Sequence, residues 1–165
     1  MQVTTGVSAT DNTLQNDNAV WFLNGRVTVR LSAADGADGI SILELRMPYG
    51  ESPPLHIHRN EDEIFHVLDG TMRVRIGGND RVLRAGDIAI APKGIPHSFR
   101  VESLAGARCL TICRGGDFET LVAQASRPAT TAGLPPVAAL SDEQIAAFAA
   151  LCAANRIDLV GGSLS

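Results

Sequence analysis

Between Ala19 and Arg114 the chain is a succession of short apolar or alternating runs, each cut off by turn-forming residues, and this constrains the fold more than anything else in it. The runs are AVWFL, RVTVRLSA, ISILELRM, LHIH, EIFHVL, TMRVRIG, RVLRA, DIAIAP, HSFRVE and ARCLTICR. Ten short strands at this spacing predict an all-β sandwich or barrel. In TMRVRIG, alternation puts Met72, Val74 and Ile76 on one face and Arg73 and Arg75 on the other, as in a sheet with one wet side. Asp69-Gly70 fits a tight hairpin and Gly77-Gly78-Asn79-Asp80 a slightly longer one, while Gly86 precedes a new strand.

The text changes on either side of these runs. Residues 1–18, rich in Thr, Asn, Asp and Ser, have no apolar period and read as a loose arm or an interface strand. The β-domain is expected over residues 19–116. Residues 117–165 read as a helical extension that packs on the barrel or on a second subunit, with one helix in DFETLVAQAS and another in SDEQIAAFAALCAANR. Ser141 and Gln144 make a capping box, and Ile145, Phe148, Ala149 and Cys152 form an apolar stripe.

With 165 residues the chain can bury one good core. A formal charge of −4 and no Lys/Arg cluster offer nothing to attract nucleic acid or an anionic membrane. No apolar run approaches the ~20 residues of a spanning helix, and no basic-then-apolar leader opens the chain. The expected location is therefore the cytoplasm. Cys109, Cys113 and Cys152 are an odd set without Cys-x-x-Cys spacing and read as buried small hydrophobes rather than as a disulfide or thiolate site.

All 4 histidines fall between positions 56 and 97. His56 and His58 are two apart on a strand, so both rings point to one face about 7 Å apart along the backbone. A polar link, Arg59-Asn60-Glu61-Asp62, can turn the chain and bring Glu63 beside them; Glu61 and Asp62 themselves read as solvated. His97 opens its strand just after Pro92-Lys93-Gly94-Ile95-Pro96, a turn stiffened by two prolines and permitted by a glycine. Three neutral imidazoles and one carboxylate suit one divalent first-row ion: iron, nickel, cobalt, manganese or zinc. Phe65 and Phe99 share strand parity with Glu63 and His97 and can line a cavity, Tyr49 sits where it could reach a rim, and His66 has the opposite parity and faces away.

Gly50 to Gly70, GESPPLHIHRNEDEIFHVLDG, resembles the first motif of the cupins: glycine, five residues, His-x-His, four residues, Glu, six residues, glycine. Gly86 to His97, GDIAIAPKGIPH, resembles the second, although Val101 stands where an asparagine usually follows. The resemblance implies a small jelly-roll barrel, here with a short C-terminal helical segment, holding a metal in its mouth through His56, His58, Glu63 and His97. The wording PPLHIHRNEDEIFHVLDG and PKGIPHSFRV is most similar to single-domain quercetin dioxygenases, relatives that open flavonols or related enolizable compounds with molecular oxygen.

The expected activity is accordingly a metal-dependent dioxygenase acting on a flavonol-like or other enolizable small molecule, with Glu63 as catalytic proton acceptor. Two alternatives use the same site. One is an oxygen-independent isomerase, cyclase or decarboxylase; the other is a non-catalytic binding module, which would tolerate loss of Glu63. Barrels of this type often pair, so a homodimer is expected as well.

Overall fold

The computed structural model describes residues 18–165, so the N-terminal arm expected over residues 1–18 lies, but for Asn18, outside the described residues. Each of the ten runs forms a strand: β1 (Val20–Phe22), β2 (Gly25–Leu31), β3 (Ile40–Met47), β4 (Pro54–His58), β5 (Glu63–Asp69), β6 (Thr71–Ile76), β7 (Asn79–Arg84), β8 (Ile88–Ala91), β9 (His97–Val101) and β10 (Ala107–Arg114). Helix α1 (Asp117–Ala125), the short β11 (Arg127–Pro128), helix α2 (Asp142–Ala154) and β12 (Ile157–Ser163) complete the described chain. No helix among the described residues is long and apolar enough to cross a membrane.

The strands form two antiparallel sheets, a seven-stranded one in the order β11-β1-β2-β3-β10-β5-β8 and a five-stranded one in the order β12-β4-β9-β6-β7. The architecture is a jelly roll of two packed sheets rather than a single closed barrel. Period-two patterning explains how they meet. Leu43, Phe65, Val67 and Cys109 of the larger sheet and Met72, Val74, Leu83 and Val101 of the smaller all have 1% exposure or less and belong to one core. At roughly 1.5–3 kcal/mol for each large apolar side chain taken out of water, this shared core is what holds the sheets face to face.

Two turns exchange the roles expected of them. Gly77-Gly78 is the tight hairpin, since Ile76 pairs with Asn79 across a two-residue loop. Asp69-Gly70 makes no hairpin, because β5 lies in the larger sheet and β6 in the smaller; the turn carries the chain from one layer to the other. Gly70 has φ +82°, and a side chain there would collide with the backbone carbonyl of Gly106 and the Ser103 hydroxyl, so the crossover needs glycine for both reasons.

The C-terminal extension is less helical than expected. Ser141 caps α2 with the full capping box, its side chain accepting from the Gln144 amide. The stripe holds only at its C-terminal end: Cys152 is buried and Phe148 packs on Phe22 at 6.0 Å, whereas Ile145 is 51% exposed, like the rest of the first turns of α2. After α2 the chain returns as β12 beside β4, pairing Ile157 with His58 and Leu159 with His56. Only Ile157-Asp158-Leu159 alternates here, a short local signal for a strand. Strand β12 therefore flanks the strand that carries two of the histidines.

Candidate metal centre

Both sheets contribute to one buried cluster. β4 presents His56 and His58, β9 presents His97, and His56 and His97 are direct cross-strand partners. Glu63, the first residue of β5, reaches in from the opposite sheet. Gly94 shapes the approach to His97: at φ +78° it closes the Pro92-Lys93-Gly94 turn and donates its N–H to the carbonyl of His58 at 2.8 Å, so the second histidine segment is tied directly to the first. All four side chains are buried, and one ligand atom from each lies within 4.8 Å of the others.

The hydrogen bonds fix which ring nitrogens face inward. His56 Nδ1 donates to the carbonyl of Pro54 at 2.8 Å, His97 Nδ1 to the carbonyl of Ile95 at 2.8 Å, and His58 Nδ1 to Glu61 Oε1 at 3.0 Å. The acceptors put the hydrogen on Nδ1 in each ring and leave Nε2 as the inward atom. The three Nε2 atoms then surround Glu63 Oε2, at 2.9 Å for His97, 3.5 Å for His58 and 3.8 Å for His56. Three lone pairs and a carboxylate aimed at one point in a dry interior repel one another unless a cation stands between them.

A proton can fill that role in part. Burial pushes the Glu63 carboxyl up, but the charge of a protonated His58 and the close approach of the His56 and His97 rings, donating when Nε2 carries a hydrogen, outweigh it and hold the acid well below the usual carboxylate range. Burial pushes His58 down, but Glu63 and Glu61 outweigh it and raise the imidazole above its ordinary value. A divalent ion fills it better, because each neutral imidazole can give it an Nε2 lone pair without breaking its Nδ1 bond. The buried His-His-Glu-His cluster fits a single divalent metal site.

An apolar cavity of about 60 Å³ opens on the cluster, bordered by Phe22, Leu45, Met47, Phe99, Phe118 and Glu51 as well as by His56 and Glu63. Of the other candidates from the sequence, Phe65 lies behind this surface, 1% exposed, edge-on to Phe99 at 5.9 Å and to His97 at 6.3 Å. Tyr49 is 50% exposed with the Arg100 guanidinium over its ring, away from the cavity border. His66 is half-buried on the opposite face of β5, between Leu110 and Ile88 in register.

Sequence reasoning missed two carboxyls. Glu61 is not solvated but 1% exposed, because the polar link folds under the N-terminus of α1, where the amides of Phe118 and Asp117 donate to it at 2.8 and 3.2 Å. Glu51 borders the cavity, accepts from Asn24 Nδ2 at 3.0 Å, and has its carboxyl raised by burial against the smaller opposing effect of that bond. Neither has a local sequence signal: Glu61 depends on α1, 56 residues on, and Glu51 on Asn24 in another turn.

Residues 43–113 match the model of the cupin domain family. The chain is 32% identical over 134 residues to quercetin 2,3-dioxygenase of Bacillus subtilis, a match covering 79% of this chain and 40% of that protein. It is 36% identical over 92 residues to a germin-like protein of Mesembryanthemum crystallinum, covering 49% of this chain and 39% of that one. The chain thus spans about two fifths of the length of these curated relatives. In three dimensions it superposes on an RmlC-like cupin from Shewanella frigidimarina with a TM-score of 0.52 and 15% identity, over 63% of this chain and 90% of that one. The spacing of the two motifs, the domain match that contains both and the two-sheet architecture agree: this chain belongs to the cupin superfamily.

Proposed function

We propose that the protein is a metal-dependent enzyme that removes a proton from an enolizable hydroxyl or C–H of a small molecule and passes the resulting electron-rich species to molecular oxygen, as a dioxygenase. The observation that carries this reading is the convergence of His56, His58 and His97 Nε2 on Glu63 Oε2 at the edge of an apolar cavity. The similarity to a quercetin 2,3-dioxygenase supports the choice of oxygen as co-substrate.

The residues divide the work. His56, His58 and His97 would hold a divalent ion through Nε2, with Glu63 as the fourth donor. Such an ion, when bound, supplies Lewis acidity that lowers the pKa of a coordinated hydroxyl toward neutrality. Glu63 Oε2 is the proton acceptor, since it is the carboxylate at the cavity edge and is ionised at neutral pH. Phe22, Phe99 and Phe118 keep water away and offer ring faces to a flat unsaturated substrate. At about 60 Å³ the cavity is smaller than a small β-diketone as well as a flavonol, so a substrate of either kind enters only with displacement of a bordering side chain such as Phe22 or Phe118.

Glu51 favours a second reading. A carboxyl with a raised pKa in the same cavity as an ionised one is an acid and base pair, which suits isomerisation or decarboxylation without oxygen. Oxygen uptake by metal-loaded protein, screened over β-diketones, other enolizable compounds and flavonols, separates the two. Uptake that is stoichiometric with substrate loss and abolished in Glu63→Ala supports the dioxygenase; turnover that proceeds unchanged under argon sinks it. Tight ligand binding that Glu63→Ala leaves intact, with no turnover in air or argon, would mean a non-catalytic binding module.

A further inference from the structure

The three inward-facing histidines are not held alike. His56 and His97 each rest Nδ1 on a carbonyl two residues earlier in their own segment, Pro54 and Ile95, so the local backbone that places the ring also orients it. His58 alone depends on a side chain, the Glu61 carboxylate. That carboxylate has a second set of partners. Its two oxygens accept from the first amides of α1, at Asp117 and Phe118, where the N-cap residue Gly116 has no side chain to do so.

The surroundings lock this arrangement. Glu61 is 1% exposed, and a methyl group on Gly115 would run into its carboxylate, so the chain entering α1 is moulded on it. The link carrying Glu61 is clamped by the C-terminal segment: Arg59 N–H donates to the Arg156 carbonyl at 2.9 Å, the Arg59 guanidinium pairs with Asp158, and Asn60 Nδ2 reaches Asp117 at 3.3 Å. Arg156 in turn pairs with Asp117 at 2.8 Å, closing the ring of contacts.

We propose that Glu61 is a positioning residue for the metal centre, orienting His58 from behind and tying that ring to the N-terminus of α1, so that metal affinity and the docking of α1 depend on each other. The inference rests on reading the four-residue cluster as a metal site. It adds that the C-terminal segment is a working part of that site. A carboxylate behind a ligand histidine fixes its tautomer and makes its Nε2 a stronger donor than a carbonyl does, and losing such a partner costs on the order of 10–100-fold in metal affinity. By linkage, whatever factor the docking of α1 on Glu61 adds to metal affinity, a bound ion adds to the docking of α1.

The test uses Co(II) on the full chain, wild type beside Glu61→Gln. Gln keeps the shape and one acceptor oxygen but loses the charge. The expected result is a Co(II) affinity lower by on the order of 10–100-fold, measured by chelator competition, with an altered visible d–d spectrum while far-UV circular dichroism stays unchanged. A helix cap with no role at the metal would lower stability and leave both the spectrum and the affinity alone; that outcome overturns the proposal. Hydrogen exchange on the wild type needs no variant: adding Co(II) should slow the Phe118 amide at least about 10-fold more than amides of the distant β6–β7 hairpin. Equal slowing, or none, also overturns it. If wild-type protein takes up no Co(II), or His97→Ala takes up as much as wild type, the metal reading itself falls and the inference goes with it.

Discussion

The two faces of the five-stranded sheet carry acid–base clusters of opposite character. On the outer face Asp80 receives the Arg75 guanidinium at 2.6 and 2.9 Å and Arg73 Nη1 at 3.2 Å, while Arg73 Nε reaches Glu102 at 2.9 Å. Every contact there is donor to acceptor, in water, and the set is complete. On the inner face three Nε2 atoms crowd one carboxylate oxygen in a dry interior, and with the ring hydrogens on Nδ1 acceptor meets acceptor. Similar residue types a sheet apart thus satisfy one another in one place and form a set suited to a cation in the other. Solvent exposure and the direction of the ring hydrogens make the difference.

The strongest way to break this comparison is to remove one inner ligand. His97→Ala takes away the ring closest to Glu63 and should abolish stoichiometric binding of a divalent ion, an affinity loss above the roughly 100-fold ceiling expected for outer partners. Equilibrium dialysis followed by metal analysis checks it, and a retained one-to-one stoichiometry would refute the cluster as the site. Asp80→Asn, the corresponding change outside, should leave metal content untouched.

Next in size is the effect of the ion on stability. An ion at about 100 times its Kd stabilises by ~2.7 kcal/mol, which for a domain of this size raises Tm by about 5–10 °C. Calorimetry with Co(II) and with a chelator measures it. The chelated protein should show its own pH dependence. His58 is raised in the folded state, so its contribution is fully present below its unfolded pKa of about 6.5 and is lost as pH rises through the folded value. Glu63 is lowered, so its contribution is present above about 4.5 and lost on acidification through the folded value. Metal-free protein should therefore be more stable at pH 6 than at pH 8, while the metal-loaded form should not gain on acidification, because protons displace the ion. A flat profile for the chelated protein would show that no proton substitutes for the ion in the cluster.

What the sequence made legible follows the range of the forces involved. Period-two alternation is local, and it located ten of the twelve described strands and the inward parity of Met72, Val74, Phe65 and Phe99. The four clustered side chains were legible because the two motifs set their spacing. Sheet membership is not local: whether Asp69-Gly70 pairs its flanking strands or carries the chain across layers depends on the packing of Gly106 and Ala107 against it. Glu61 was misread for the same reason. In the text it is a charge in a polar link; in the fold α1 and His58 close over it from 56 residues and 3 residues away. Strand β12 has little local signal, a three-residue alternation followed by Gly161 and Gly162, and its pairing partner β4 is about 100 residues earlier in the chain.

On the outer face the expected effect is small. Arg75, then Arg73, lowers the Asp80 carboxyl to about 2, yet the pair is solvated and screened. Asp80→Asn should shift Tm by no more than about 2 °C, and 0.5 M salt should erase the difference. A larger, salt-resistant shift would mean that this hairpin network acts as a buried one does.

The smallest expected effect concerns acids buried beside the cluster that have no cation to help them ionise. Cys113 pairs in register with Glu63, and burial, followed by the charges of Glu63 and Glu61, pushes its thiol far above the usual range. Burial, followed by the charge of Glu63, pushes Cys109 up to about 12, and burial pushes Cys152 up to about 11. Glu63 shares this interior and moves the other way, so burial alone does not set its charge; the histidines facing it do. Thiolate at pH 8 is then at most about one part in a thousand for any of the three, and the attacking species in alkylation is the thiolate. Native protein should leave iodoacetamide unreacted over an hour, while denatured protein should add three groups by mass spectrometry. Rapid native labelling of Cys113 would show that water reaches the Glu61–Glu63 side of the cluster, and with water there the crowded acceptors would no longer require an ion.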